Sequence, residues 1–268
     1  MTTVTYAVQD HIATLTLNRP EALNALNLAM IDDLRAATAR VAFDPAVRVV
    51  ILRGGGDHFM AGGDLKWFRE QLALPPEARQ PRFEAIIAAV HASILSLKHM
   101  NKPVIAAVHG AVAGFGLSLM MAADLALAAE NAYFTLAYSN IALSPDGGAT
   151  WSLPRQVGLK QAMEIALLGD RFDAARACEL GLINRVVPLA ELEAAALDLA
   201  QRLAAGPTEA LARTKALLNQ SLETSLESQL LAEQRSFAAC GAHADFSEGL
   251  AAFFEKRKAR YGQDAAEG

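Results

Sequence analysis

Two glycine-rich segments could present main-chain N–H groups to a negatively charged oxygen. In FMAGGDL (59–65), Gly62 and Gly63 allow backbone conformations closed to other residues and let a ligand approach the main chain. In GAVAGFGLS (110–118), two glycines flank Phe115 where a helix is expected to begin, and the first amides of a helix have no acceptor within it. Two such donors converging on one oxygen would form an oxyanion hole, which stabilises a thioester carbonyl as it becomes an enolate.

Each glycine segment also has a plainer interpretation. Glycine-rich turns after strands bind phosphates, but the dinucleotide fingerprint G-x-G-x-x-G fails here because Leu119 stands where the third glycine belongs. No G-x-x-x-x-G-K-[ST] loop occurs either. For each segment alone, a tight turn without any ligand remains an open alternative.

Asp146, in SPDGGAT (144–150), is the candidate acid or base. It stands just before a predicted helix, so its carboxylate could simply cap that helix, which would hold the pKa low. To act as a base it would need an apolar pocket that raises the pKa. The spacing alone leaves both interpretations open.

Two further side chains are ambiguous between core packing and chemistry. His91 lies four residues after Ile87 and three before Ile94, so it shares the apolar face of its predicted helix. Tyr138, in FTLAYSN, could pack in the core or line a pocket. The segment 67–82 (WFREQLALPPEARQPR) is expected to cover that pocket.

Composition limits the class of protein. The chain has 268 residues, of which 53% are hydrophobic and 20% charged, and this composition excludes a disordered chain. A net charge of −5 gives no reason to expect nucleic acid or an anionic membrane as a partner. Cys178 and Cys240 fit neither a disulfide framework nor a metal site, and the N-terminus has no secretion signal. We therefore expect a cytoplasmic protein with two free thiols.

Apolar runs alternate with amphipathic segments along most of the chain. This alternation predicts an α/β fold. The expected strands are 11–18, 48–53, 103–108, 124–129, 132–136 and 182–187, and the expected helices before residue 189 are 26–42, 82–98, 115–122, 147–157 and 159–168.

The segment 104–123 imitates a membrane span because it carries no formal charge. Its three glycines and His109 would interrupt a helix, and much of its hydropathy comes from alanine. A strand, a turn and a buried helix are the preferred interpretation.

The character of the chain changes after Pro188. Residues 189–261 have an almost wholly helical pattern, interrupted at Gly206-Pro207 and at Gly241. Because helices with exposed apolar faces usually pack on a partner subunit, we expect a homo-oligomer.

Taken together and in order, these segments resemble the crotonase (enoyl-CoA hydratase/isomerase) superfamily. The resemblance implies a spiral of stacked ββα units in residues 1–188 for acyl-CoA binding and catalysis. It implies a helical trimerisation region in residues 189–268, and a homotrimer or a hexamer made of two trimers. The strings that carry it are RPEALNAL (19–26), VVILRGGGDHFMAGGDL (49–65), NKPVIAAVHGAVAGFGL (101–117), SPDGGATWSLPRQVG (144–158), ACELGLINRVV (177–187) and EGLAAFFEKRKA (248–259).

The resemblance also implies roles for individual residues. The family's oxyanion-hole donors fall on the N–H groups of Gly63 and Phe115. Phe253 and Lys256 match positions that reach the adenine end of CoA in a neighbouring subunit. No metal and no redox cofactor is implied, since CoA is part of the substrate. The remaining positions matched to substrate binding are Ala22, Leu23, Ala61, Asp64, Leu65 and Gly114.

Departures from the family pattern bear on the reaction. Enoyl-CoA hydratases use two glutamates, and here those positions hold Ser118 and Tyr138. Asp146 falls where the family's isomerases keep a single acid/base carboxylate, and the string AYSNIALSPDGGATWSLPR resembles the ring-epoxide isomerases. One carboxylate suffices for isomerisation, because the proton removed from one carbon returns to another. We expect an isomerase, with His91 and Tyr138 lining the acyl pocket.

Three alternatives remain open at this point. A hydratase-type lyase could use Asp146 with a positioned water. Aryl-CoA dehalogenases of the family have an aspartate and a histidine at the positions of Asp146 and His91, but a tryptophan at that of Tyr138. A non-catalytic subunit that only binds CoA esters is the third alternative.

Overall fold

The computed structural model describes residues 2–262. Its strands belong to two sheets, and its helices are spread along the whole described chain. The strands are β1 (Val4–Gln9), β2 (Ile12–Leu17), β3 (Val49–Gly54), β4 (Val104–Val108), β5 (Ala111–Ala113), β6 (Leu125–Ala129), β7 (Tyr133–Thr135), β8 (Phe172–Asp173) and β9 (Arg185–Val187). The helices are α1 (Leu28–Phe43), α2 (Leu65–Gln71), α3 (Pro76–His99), α4 (Phe115–Met121), α5 (Ala149–Val157), α6 (Leu159–Leu168), α7 (Ala174–Glu179), α8 (Leu192–Ala204), α9 (Thr208–Gln220), α10 (Leu226–Gly241) and α11 (Ala244–Glu255).

The larger sheet has the strand order β1-β2-β3-β4-β6-β9, and the smaller one has the order β5-β7-β8. In the larger sheet only the β1/β2 pair is antiparallel. Strands β4 and β6 belong to the larger sheet, while β5 and β7, which follow them directly, belong to the smaller one. The repeated unit is therefore one strand of the larger sheet, one strand of the smaller sheet and then a helix, as the predicted ββα spiral requires.

The central strands of the larger sheet are buried on both faces, because helices cover both sides. In β3, Val50 and Leu52 point into one core, with α1, α3 and α4, while Val49 and Ile51 point into another. The second core is closed by α8, whose residues Leu192, Ala196, Ala200 and Ala204 recur every fourth position and so share one face. Uninterrupted apolar runs, rather than alternation, are expected for parallel strands covered on both faces.

Several predicted boundaries were wrong. Helix α3 begins at Pro76, six residues before the predicted start, because proline is tolerated as a first helical residue; the helix then continues through Pro81. Between β4 and α4 the chain forms β5 rather than a simple turn. The strand predicted at 182–187 is confined to β9.

The segment 104–123 forms β4, β5 and α4, as a strand, turn and helix interpretation requires, with one more strand than expected. None of the helices described for residues 2–262 is both long and apolar enough to cross a membrane. Cys178 and Cys240 are free thiols.

The C-terminal helices differ in how they attach to the sheets. Helix α9 is held by Lys215, whose Nζ lies 2.8 Å from Oδ2 of Asp124 and donates to the carbonyl of Leu97 at 2.8 Å. Helices α10 and α11 instead expose large apolar side chains, with Phe237 83% and Phe253 76% exposed. The division into residues 1–188 and 189–268 stays a prediction; α8, beyond that boundary, packs directly on the larger sheet.

Candidate active site

The two glycine segments lie side by side. Met60 and Val112 form an isolated parallel bridge between them. The Met60 N–H donates to the carbonyl of Ala111 at 2.9 Å, and the Ala113 N–H donates to the carbonyl of Met60 at 2.9 Å. Two residues beyond this bridge Gly62 lies against Gly114, so Gly63 and Phe115 directly follow the point where the two chains meet.

Glycine is required at this crossing for reasons of space and backbone angle. Gly62 has a φ of 98° and Gly114 a φ of 52°, both in the region that disfavours side chains. A Cβ atom on Gly62 would lie 3.2 Å from the carbonyl oxygen of Ala113 and 3.6 Å from Cα of Gly114. The two main chains therefore approach each other because neither carries a side chain there.

The N–H groups of Gly63 and Phe115 are free to bind a ligand. Phe115 is the first residue of α4, so its amide has no acceptor within the helix. Around Gly63 the hydrogen bonds use the neighbouring residues, from the Leu26 N–H to the Gly62 carbonyl at 2.7 Å and from the Asp64 N–H to the Leu26 carbonyl at 3.0 Å. Within residues 2–262, no group accepts from either amide.

Asp146 does not cap the following helix, so that interpretation is wrong. Helix α5 begins at Ala149, and its N-cap position is Gly148, with no side-chain hydrogen bond. Gly147 and Gly148 have φ values of 61° and 76°, and this left-handed pair separates Asp146 from the helix. Its carboxylate Oδ1 instead accepts a hydrogen bond from the Tyr138 hydroxyl.

A buried serine fixes the Asp146 segment against α4. The Ser118 hydroxyl donates to the main-chain oxygen of Asp146 at 2.9 Å and lies 3.4 Å from the Tyr138 hydroxyl. A Cβ on Gly147 would meet the ring of Phe115 at 2.8 Å, so the segment also packs directly on the start of α4. The candidate base and one of the two candidate amide donors, that of Phe115, are thereby held by the same helix.

His91 is tied to the same segment. Its Nε2 accepts a hydrogen bond from the N–H of Gly147 at 3.2 Å. The ring is partly buried on α3 and lines the cavity, so it is a pocket residue rather than a purely core one.

Burial governs the electrostatics of the Tyr138–Asp146 pair. Desolvation raises the pKa of Asp146 above its ordinary value, and the hydrogen bond from Tyr138 partly opposes that rise. Burial, followed by the charge of Asp146, raises the pKa of Tyr138. Tyr138 is therefore the donor of this hydrogen bond, and Asp146 is a carboxylate with more than ordinary affinity for a proton.

The cavity that contains these groups has a volume of about 500 Å³. Most of its wall is apolar, and among its described lining residues Asp146 is the one carboxylate. The predicted site residues that line it are Ala61, Gly63, Leu65, His91, Gly114, Phe115, Tyr138 and Asp146.

Part of the wall is aromatic. Trp67 and Phe68 of α2 and Phe83 of α3 form a cluster whose ring centroids lie 5.3 to 5.8 Å apart. The segment predicted to cover the pocket thus contributes Trp67 and Phe68 to its lining. Sequence reasoning did not identify this cluster, because the three rings meet only when α2 and α3 pack.

The remaining predicted CoA contacts are not among the residues that line the cavity. Leu23 is joined to the glycine segment through its carbonyl, which accepts from the Ala61 N–H at 3.0 Å, and Ala22 precedes it. Asp64 caps α2 and pairs with Arg19 at 3.1 Å. Phe253 and Lys256, in and just after α11, do not line the cavity.

Sequence reasoning also missed Asn24, which is fully buried. Its amide nitrogen donates to the carbonyls of Gly55, His58 and Phe59 at 2.9, 2.7 and 3.1 Å, and its oxygen accepts from the Arg19 N–H at 2.8 Å. Asn24 thereby fixes the loop that leads into the first glycine segment. The sequence signal that could have identified Asn24 was its place within RPEALNAL, one of the strings that carry the family resemblance.

Comparison with known proteins now identifies the family. A family model described as enoyl-CoA hydratase/isomerase matches residues 7–264. The chain belongs to the enoyl-CoA hydratase/isomerase family. A structure of a putative enoyl-CoA hydratase/isomerase from Mycobacterium abscessus superimposes with a TM-score of 0.92 at 34% identity, over 97% of this chain and 99% of that one. The crotonase fold predicted from the sequence is confirmed.

Relatives in the enoyl-CoA hydratase/isomerase family carry names for different reactions. A probable enoyl-CoA hydratase from Rhodobacter capsulatus is 40% identical, over 95% of this chain and 96% of that protein. The 1,2-epoxyphenylacetyl-CoA isomerase of Escherichia coli is 36% identical, with the same two coverages. Family membership therefore makes this chain an acyl-CoA enzyme. The sequence identities to the hydratase and to the isomerase are too similar to decide between hydration and isomerisation.

Proposed function

We propose that the protein isomerises an acyl-CoA thioester, moving a double bond by way of an enolate, with Asp146 as the one acid/base group. The observation that carries this proposal is that Asp146 is the single carboxylate among the described residues of the cavity wall. A hydratase of this family positions water with two glutamates, and Ser118 and Tyr138 occupy those positions here. Neither a serine nor a protonated tyrosine can act as a second carboxylate base.

The N–H groups of Gly63 and Phe115 would hold the thioester oxygen. The Asp146 carboxylate removes a proton from C2 of a 3-enoyl-CoA, and the electron pair moves into the thioester to give a dienolate. The two amides stabilise the charge that develops on its oxygen. Protonated Asp146 then returns the proton to C4, which yields the conjugated 2-enoyl-CoA and regenerates the carboxylate. No water enters the product, and no metal or redox cofactor is needed.

The elevated pKa of Asp146 suits both halves of this cycle. A carboxylate of ordinary pKa is a weak base, and burial makes Asp146 a stronger one. The hydrogen bond from Tyr138 to Oδ1 orients the carboxylate group and limits the rise in its pKa. The same donor would stabilise the anion each time the proton leaves.

Ring-epoxide isomerisation is a second candidate, and the aromatic cluster favours it. Trp67, Phe68 and Phe83 offer ring faces and edges in the acyl cavity, where a substrate ring could pack. The relative from Escherichia coli is named for such a reaction. This candidate uses the same Asp146 and the same two amides.

Assembly as a homotrimer, or as a hexamer of two trimers, is also proposed. The support is the exposed apolar surface of α10 and α11, on which Phe237, Phe253 and Phe254 are each more than 70% exposed. Phe253 and Lys256 would then reach the CoA of a neighbouring subunit. Light scattering coupled to gel filtration should give three or six times the subunit mass, and a monomer at micromolar concentration would contradict this assembly.

Oxygen-18 water separates the isomerase from its hydrolytic and hydrating rivals. The protein is incubated with 3-octenoyl-CoA, 2-octenoyl-CoA and 4-chlorobenzoyl-CoA, and the products are analysed by mass spectrometry. We expect conversion of the 3-enoyl to the 2-enoyl ester without label. Label entering a hydroxyl product would support a hydratase, labelled 4-hydroxybenzoyl-CoA a dehalogenase, and tight binding of every ester without turnover a non-catalytic subunit.

A further inference from the structure

The main chain fixes the tautomer of His91. A nitrogen that accepts a hydrogen bond carries no proton, and Nε2 accepts from the N–H of Gly147 at 3.2 Å. The proton of the neutral imidazole is therefore on Nδ1. His91 is thus a hydrogen-bond donor through Nδ1 and not through Nε2.

Nδ1 is also the polar edge of the ring that the protein leaves free. Within residues 2–262, no side chain or carbonyl accepts a hydrogen bond from it, and His91 lines the acyl cavity. The same helix contributes the apolar neighbours Ile87 and Val90 to the wall. His91 and the proposed base Asp146 both line this cavity, and Gly147, which directly follows Asp146, is bonded to His91.

A purely hydrocarbon acyl group would leave this donor unsatisfied. Filling the cavity excludes water from Nδ1–H, and a buried donor without a partner carries a desolvation penalty. An oxygen placed on the acyl group opposite Nδ1 would remove that penalty. Such a wall would favour acyl groups with an oxygen acceptor over those without one.

We infer that His91 is a specificity-determining donor, and that the acyl group this enzyme takes carries an oxygen acceptor beyond the thioester, such as an ether, epoxide or hydroxyl oxygen. The inference rests on the proposed function in one respect, that the cavity around Asp146 holds the acyl group. Asp146 remains the acid/base group, and His91 transfers no proton. The role of His91 is to select the substrate.

An oxygen moved stepwise along a saturated chain tests this inference without turnover. Propoxyacetyl-CoA, 3-ethoxypropanoyl-CoA and 4-methoxybutanoyl-CoA each replace one methylene of hexanoyl-CoA by an acceptor oxygen. Dissociation constants are measured by calorimetry for the wild type, His91→Phe and His91→Asn. Phenylalanine keeps the ring without a donor, and asparagine can place an amide N–H near the position of Nδ1.

For at least one ether, the preference over hexanoyl-CoA should be about tenfold greater in the wild type than in His91→Phe, the size of one neutral hydrogen bond. His91→Asn should recover part of the ether preference that His91→Phe loses. Equal ether preferences in the wild type and His91→Phe at all three positions would overturn the inference. So would nitrogen-15 NMR of labelled histidine that places the His91 proton on Nε2.

Failure of this inference can be distinguished from failure of the proposed function. The ethers are saturated and not turned over, so an inactive enzyme could still show the preference. Conversely, Asp146-dependent isomerisation without any ether preference would refute only the role given to His91. Melting temperatures of both variants, compared with that of the wild type, exclude loss of folding as the cause.

Discussion

The hydroxyl of Tyr138 donates a hydrogen bond to Oδ1 of Asp146, and this pair sets the properties of the proposed base. Burial of Asp146 alone would raise its pKa further than the pair allows, since the Tyr138 bond acts in the opposite direction. Ser118 binds the main chain of Asp146 and lies near Tyr138, so α4 holds both members in place. Ser118 and Tyr138, which the family resemblance matches to the two glutamates of hydratases, thus hold an aspartate in place through hydrogen bonds.

Tyr138→Phe should move the acid limb of the rate profile to higher pH. The reason is that, of the contributions that oppose the rise in the Asp146 pKa caused by burial, the hydrogen bond from Tyr138 is the largest, so its removal lets the pKa rise further. The measurement is kcat/KM for a 3-enoyl-CoA as a function of pH. Tyr133→Phe, at a tyrosine of β7 outside the cavity lining, is the matched control and should leave the limb unchanged. A shift of the limb to lower pH in Tyr138→Phe would contradict the pairing.

Asp146→Asn should make the protein more stable near neutral pH. A carboxyl whose pKa is raised by folding binds its proton more tightly in the folded state, so ionised Asp146 opposes folding above that raised pKa. As the pH falls through the folded pKa towards the ordinary value of 3.8, the wild type should recover this stability and the difference should vanish. Urea unfolding at several pH values measures this difference in the free energy of unfolding between the wild type and Asp146→Asn.

Asp198→Asn, at an exposed position of α8, is the control for loss of one negative charge. Its stability should follow that of the wild type at every pH. A destabilised Asp146→Asn near neutral pH would mean that ionised Asp146 stabilises the fold, against the direction deduced from its burial.

Gly114→Ala should reduce kcat by about 10² to 10³, the effect of losing one oxyanion donor. Gly114 has φ 52° and ψ −123°, a backbone conformation that alanine avoids, so the peptide before the Phe115 N–H would reorient. Gly158→Ala is the matched control, because Gly158 also has a positive φ, of 77°, with no atom near a new Cβ. Both variants should lose stability, and only Gly114→Ala should lose rate. Equal rates in the two variants would exclude the Phe115 amide as a donor.

The fold was largely predictable because its strands carry a strong local signal. The apolar run of β3 ends in three consecutive glycines, and β4 begins just after Pro103, so their burial could be deduced from local sequence. The start of α3 could not be deduced in this way, because the prolines at 75, 76 and 81 resemble helix breakers. In the structure Pro76 is instead the first residue of the helix. Short strands such as β5 depend on a distant partner, β7, and have no local pattern of their own.

The site was predictable in its members but not in its arrangement. The glycines near residues 63 and 115 suggested amide donors, yet only the Met60–Val112 bridge brings the two segments into register. Whether Asp146 caps α5 could not be decided from spacing, because the answer depends on the left-handed conformations of Gly147 and Gly148. The bond between Gly147 and His91 joins residues 56 positions apart and is equally invisible to local reasoning.

The most direct test of Asp146 as the single acid/base group is the turnover of 3-octenoyl-CoA by the wild type and by Asp146→Asn in deuterated water. The wild type should form the conjugated 2-enoyl ester, with or without deuterium, while Asp146→Asn should be slower by about 10² to 10⁴, the usual contribution of general acid–base catalysis. Its dissociation constant for octanoyl-CoA should stay within about threefold of the wild-type value, since the interaction removed acts only on the transition state. A variant that isomerises at nearly the wild-type rate, or that loses binding in proportion to rate, would contradict the account.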